Sequence, residues 1–141
     1  MKLKKFTTNF IVENINQSII FYQDVLGFQV EMIVDRNQNT DNQINESKDY
    51  VFAIMSKDNI VLMFQTPESM AEDVPVFKDI TPGTSACYYL EVEGLKEFYQ
   101  EIKTKVEVVK DLYTTWYGME EFHIKDCNGN IIGFGERTEE A

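Results

Sequence analysis

The sequence predicts an α+β fold in which two βαβββ modules follow one another in tandem and form a curved sheet with a central cleft. Three observations carry this. The order strand, helix and three strands occurs once over residues 1–66 and again over 83–137. Short strings recur between the halves: FYQDV at 21–25 is echoed by FYQEI at 98–102, and NIV at 59–61 by NII at 130–132. Finally, four strands and one helix cover only one sheet face, so each module keeps an open face that can turn toward a shared cleft.

In the first module, FTTNFIVE (6–13) alternates, with Phe6, Thr8, Phe10 and Val12 on one side and Thr7, Asn9 and Ile11 on the other. Asn14 or Asn16 can then cap a helix in which Ile15, Ile19, Tyr22 and Leu26 fall at helical spacing, and Gly27 supplies the stop. FQVEMIVD reads as a strand, and YVFAIMS with NIVLMFQ reads as a hairpin turning near Lys57 and Asp58. Between them, residues 36–49 have no aromatic and a single isoleucine, which predicts a solvated, mobile connection or a lid. Residues 67–82, bracketed by Pro67 and Pro82, show no sustained period and read as the linker.

The second module repeats the order. SACYYLEVE is a strand, and GLKEFYQEIKTK is a helix with Leu95, Phe98, Tyr99 and Ile102 on one stripe. VEVVK, YGMEEFHIK and NIIGFGE are strands, and ERTEEA is a charged end. Phe10 and Val12, and in the second half Leu90 and Val92, belong under the helices. Thr7, Asn9, Cys87, Tyr89 and Glu91 then face the cleft.

Twenty-four acidic against 13 basic residues give a formal charge of −11 over 141 residues. A phosphate binder needs a basic surface, so nucleic acid and anionic membrane are excluded as expected partners. A cationic ligand is favoured by the summed field. No run approaches the roughly 20 apolar residues of a membrane span, and no apolar signal run follows the basic start, so a cytoplasmic protein is expected. Cys87 and Cys127 have no metal-knuckle spacing, and no disulfide is expected.

IVENINQSIIFYQDVLGF and YGMEEFHIKDCNGNIIGFGE together resemble the opening and closing motifs of the vicinal oxygen chelate superfamily of glyoxalases, bleomycin resistance proteins and dioxygenases. The likeness spans nearly the whole chain and implies one such domain over 1–141. The superfamily's enzymes hold a divalent metal at four strand positions, which by this resemblance fall on Thr7, Val61 or Leu62, Cys87 and Gly133. Thr7 and Cys87 alone do not supply the two or three converging ligands that a catalytic metal needs. The expectation is therefore no metal, no cofactor and no catalytic residue, as in the metal-free bleomycin-resistance-like branch. The resemblance also implies a homodimer.

His123 shares a strand face with Glu121, but Cys127 lies past the start of a turn, and no nucleophile partners the imidazole, so it reads as a surface or hydrogen-bonded histidine. The aromatic residues are more informative. Trp116, Tyr117 and Tyr89, near Glu91 and Glu121, suit a flat cationic guest. Gly133 and Gly135 leave a side-chain-free floor, although a twisted or bulged terminal strand explains them as well. The expected ligand-binding set is Thr7, Asn9, Cys87, Tyr89, Glu91, Trp116, Tyr117, Met119, Glu121 and Gly133. It describes a protein that sequesters a small cationic or aromatic compound. The alternative is a glyoxalase-like lyase or isomerase, or a dioxygenase-related enzyme, with an atypical or absent metal site.

Overall fold

In the computed structural model, which describes residues 1–83 and 86–138, the two modules form separate compact units, residues 1–83 and the remainder. The first unit contains β1 (Thr8–Ile11), α1 (Ile15–Asp24), β2 (Gln29–Asp35), β3 (Thr40–Asp41), β4 (Tyr50–Lys57) and β5 (Ile60–Gln65), with sheet order β1-β5-β4-β2-β3. β1 runs parallel to β5, and the other pairs are antiparallel.

Asn14, not Asn16, caps α1: its Oδ1 accepts from the Gln17 N–H at 2.9 Å. The helix is left through Gly27 at φ +76°, with Phe28 N–H donating back to the Tyr22 carbonyl at 2.9 Å. The predicted stripe of Ile15, Ile19, Tyr22 and Leu26 is buried together with Phe10, Val12, Ile33, Ala53, Met55 and Phe64. Tyr22 lies 4.9 Å from Phe64 and 6.2 Å from Phe10, ring to ring, so the aromatic residues join helix to sheet.

Two stretches hold more structure than their composition suggests. Within 36–49, β3 pairs with β2, and Asp35 Oδ1 accepts from the Asn37 and Asn39 N–H groups, both at 2.9 Å. Tyr50 Oη donates to Asp41 at 2.6 Å, and Lys48 pairs with the same carboxylate at 2.9 Å. Polar side chains here bond the loop to itself, a pattern that hydrophobic periodicity does not report. The linker contains α2 (Pro67–Asp73) and a 3₁₀ turn at Pro75–Phe77. Pro67 opens the helix instead of breaking it, since the first turn needs no N–H there. Gln65 Nε2 ties α2 to β5 by donating to Ser69 Oγ at 2.9 Å and Asp73 Oδ2 at 2.8 Å.

The second unit contains β6 (Cys87–Glu91), α3 (Leu95–Ile102), β7 (Glu107–Thr114), β8 (Met119–Lys125) and β9 (Ile131–Arg137), ordered β6-β9-β8-β7. Ser85 of the first predicted strand and residues 139–141 of the charged end lie outside the described residues. β7 extends beyond the predicted VEVVK to Thr114. The α3 N-terminus has no cap from its own Gly94; the Glu136 carboxylate of β9 accepts from the Gly94 and Leu95 N–H groups at 3.1 and 3.0 Å. Leu95, Ile102, Phe122, Ile124, Ile132 and Phe134 form the core under this helix. The β8–β9 turn is held by buried Asp126, whose Oδ1 accepts from Asn128 N–H and Asn130 N–H, both at 2.8 Å.

Strand register sets two rows across the sheet: Tyr89, Gly133, His123 and Lys110 in one, Glu91, Gly135, Glu121 and Tyr113 in the next. As expected, Leu90 and Val92 are half-buried, and Tyr88 with them, while Cys87, Tyr89 and Glu91 are exposed on the other face. No helix among the described residues is long and apolar enough to cross a membrane.

Phe122 is fully buried, with its ring 5.0 Å from both Tyr99 and Phe134. Phe122→Ala leaves a cavity that the strands on either side cannot close, and urea denaturation is expected to show a loss of about 3–5 kcal/mol.

Candidate functional site

Glu121 sits mid-strand on β8, only 3 % exposed. A carboxylate in that position either loses its charge or is given hydrogen-bond donors. Here three phenols supply them. Tyr89 Oη from β6 donates to Oε2 at 2.7 Å, Tyr113 Oη from β7 donates to Oε1 at 2.7 Å, and Tyr117 Oη, from the turn before β8, donates to Oε2 at 3.0 Å. Burial alone would raise the acid's pKa, but the three phenol bonds, with a smaller contribution from His123, outweigh it and hold the carboxyl below its ordinary 4.5. The phenols shift the other way. Burial and the bond to Glu121 raise Tyr89, and the bond to Glu121 followed by burial pushes Tyr113 up to about 12. Tyr117 is raised chiefly by the same bond. The proton therefore belongs to each tyrosine and the charge to Glu121.

The two glycines of β9 make this reach possible. A Cβ built at Gly135 would overlap the Tyr89 hydroxyl oxygen and lie 2.6 Å from its Cζ. At Gly133 a Cβ would meet His123 Cδ2 and Nε2 at 3.0 Å and Tyr89 Cδ2 at 3.3 Å. The floor expected to stay open for a guest is thus crossed by the protein's own Tyr89 and His123. His123 is partly exposed, and its buried Nδ1 makes no hydrogen bond among the described residues. The ring lies 6.2 Å from Tyr113 at an interplanar angle of 19°. Lys110 completes this edge, with Nζ 3.9 Å from the Tyr113 ring centroid.

Of the expected ligand-binding residues, Tyr89, Tyr117, Met119, Glu121 and Gly133 come together here. Met119 is buried, and its methyl lies 3.2 Å from where a Gly135 Cβ would be. Trp116 is 94 % exposed and meets Tyr117 edge-on, centroids 5.3 Å apart. Cys87, a free thiol, and Glu91 are exposed on the same strand as Tyr89. Thr7 and Asn9 belong to the first unit, where Asn9 Nδ2 donates to Gln65 Oε1 at 2.9 Å. Tyr113 was missed by sequence reading. A register irregularity between Lys110 and Tyr113 breaks the alternation of β7 and sets Tyr113 opposite Glu121.

Two recesses lie away from the cluster. One of about 550 Å³ in the first unit is bordered by Arg36, which already pairs with Asp49 at 2.8 Å and Glu68 at 3.5 Å. One of about 680 Å³ in the second unit is bordered by Glu136, the α3 cap. Of the positions that the superfamily's enzymes use for a metal, Gly133 has no side chain and Val61 and Leu62 have no donor atom, which leaves Thr7 and Cys87; among the described residues no three His, Cys, Asp or Glu side chains converge.

The glyoxalase/bleomycin resistance protein/dioxygenase superfamily model matches residues 6–134. Among solved structures, a glyoxalase/bleomycin resistance protein/dioxygenase from Nocardioides is similar at 13 % identity and TM-score 0.72, over 100 % of this chain and 88 % of that one. A member of the same superfamily from Sphaerobacter thermophilus is similar at 16 % identity and TM-score 0.69, over 96 % and 98 %. A protein of unknown function from Agrobacterium tumefaciens shares 20 % identity at TM-score 0.72, over 96 % and 95 %. At these identities the likeness shows the fold alone. No curated protein matches the chain.

Gly135→Ala is expected to expel the Tyr89 ring and break its bond to Glu121, costing about 1–3 kcal/mol in chemical denaturation. The pH dependence has two limbs. Glu121, held below 4.5 when folded, adds stability that is fully present above that value and lost as pH falls through the folded value. Tyr113, raised from 10.0 to about 12, adds stability that is fully present below 10 and lost as pH climbs to about 12. Phenolate absorbance should show a late-titrating fraction among the seven tyrosines that moves to lower pH in Glu121→Gln.

Proposed function

The chain belongs to the glyoxalase/bleomycin resistance protein/dioxygenase superfamily, and from that premise we propose that it is a metal-free binding protein that sequesters a small cationic, aromatic compound on the open face of its second sheet. The superfamily alone does not decide between binder and enzyme, because one scaffold carries both. The observation that carries the reading is the Glu121 cluster: a buried carboxylate kept ionised by three phenols, with half-exposed Tyr89 and Tyr117 and exposed Trp116 around it.

Such a site has fixed negative charge and ring surface in the same few ångströms. At about 6 Å and an effective dielectric of about 20, one unit charge attracts a cation by roughly 3 kcal/mol. Stacking on a partly exposed ring adds about 0.5–1 kcal/mol. The chain's formal charge of −11 raises the rate of encounter with a cation and lowers it for an anion. Binding of this kind needs no bond to be made or broken and so calls on no metal, in keeping with superfamily metal positions of which only Thr7 and Cys87 carry a donor atom.

Trp116 is the only tryptophan and lies at the rim, so its fluorescence reports on occupancy. Bleomycin-like cationic aromatic compounds are expected to quench or shift it saturably, and Glu121→Gln, which keeps shape and removes charge, to weaken binding at least tenfold. Saturable binding that is unchanged by Glu121→Gln would remove the cluster from the site, and no response across a broad panel of such compounds would remove the reading.

A further inference from the structure

Building on the binding site just proposed, we propose that the Glu121 cluster takes cations that carry N–H groups, a primary ammonium or a guanidinium, and discriminates against a quaternary ammonium. The proposal follows from the direction of three protons. Tyr89, Tyr113 and Tyr117 each donate their single O–H to Glu121, at 2.7, 2.7 and 3.0 Å. A phenol whose proton points inward has only lone pairs left to offer. The Thr115 hydroxyl already donates to the Tyr117 oxygen, so a guest approaching the phenol oxygens meets acceptors, chiefly on Tyr89 and Tyr113, backed by a negative charge.

A quaternary ammonium cannot donate, and its usual host is a cage of open ring faces. The rings here are not arranged as one. Tyr113 already has the Lys110 ammonium 3.9 Å from its centroid and His123 stacked at 6.2 Å. The Tyr89 ring lies across the Gly133–Gly135 stretch, its hydroxyl placed where a Gly135 side chain would be. Tyr117 meets Trp116 at 89°, so these two rings do not form parallel walls. What remains available is the set of phenol oxygens. The other charged or titratable groups near the cluster are the Lys110 ammonium, the His123 imidazole, the Cys87 thiol and the Glu91 carboxylate. None of them reverses the requirement for donors.

The test is an N-methylation series on one skeleton: phenethylammonium and its N-methyl, N,N-dimethyl and N,N,N-trimethyl forms, which keep ring and charge while removing one N–H at a time. Affinity is measured by calorimetry on the full chain, and the site is read from backbone amide shifts at residues 89, 117 and 121. The expected result is a stepwise loss of at least tenfold from the primary to the trimethyl form, with shifts at those residues. Affinity that stays flat or rises with methylation, with shifts at the same residues, overturns the donor requirement and leaves the binding site standing. If no member of the series shifts those residues, the site reading fails and the donor requirement falls with it.

Discussion

A carboxylate enclosed in a sheet sets a strict condition, because an ionised acid without donors is far costlier to bury than to leave in water. Glu121 meets the condition with three phenolic donors drawn from β6, β7 and the turn entering β8. Hydrogen bonds to a charged group contribute roughly 1.5–3 kcal/mol each. That is enough to reverse the rise in pKa that burial would cause, and the acid ends below its ordinary value. The open face of the second unit is organised around this one group. It fixes where the three tyrosines point and which atoms keep their protons.

The backbone accommodates that condition by leaving side chains out. Gly135 lies in register between Glu91 and Glu121, and the space above it takes the hydroxyl end of Tyr89. Gly133 does the same for His123 and the flank of Tyr89. On the far side of β8, the register irregularity in β7 brings Tyr113 opposite Glu121. The same strand carries Glu136 one residue after Gly135, and Glu136 caps α3. One short run thus makes room for the cluster and anchors the helix that covers the opposite face.

The first unit uses the same skeleton with the sizes exchanged. Asn9 pairs with Met63 and reaches diagonally to Gln65, as Tyr89 pairs with Gly133 and reaches diagonally over Gly135. A short residue on the first strand with long ones on the last gives an amide–amide contact that continues through Gln65 to α2. A long residue facing glycines gives the tyrosine–carboxylate cluster. The repeat conserves the diagonal geometry, while side-chain length decides what each unit does with it.

Periodicity and punctuation were enough to place α1, α3 and the strands other than β3, because burial of one face imposes a period of two on a strand and 3.6 on a helix. The alternation of Tyr88 and Leu90 against Cys87, Tyr89 and Glu91, the α1 stripe and the Gly27 stop were all legible for that reason. The opening and closing motifs were likewise legible, and with them the family. Composition concealed α2, since proline reads as a breaker unless its place in the first turn is known, and it concealed the order within 36–49, which rests on side chains bonding nearby backbone. The cluster itself was only half legible: Tyr89, Tyr117 and Glu121 were candidates, but their meeting at one carboxylate was not. Local sequence determined which face each residue occupies. Only the tertiary structure decided the direction of the phenol protons and the arrival of Tyr113, because both depend on strand register, on a break in alternation and on contacts between residues 32 and 8 positions apart along the chain.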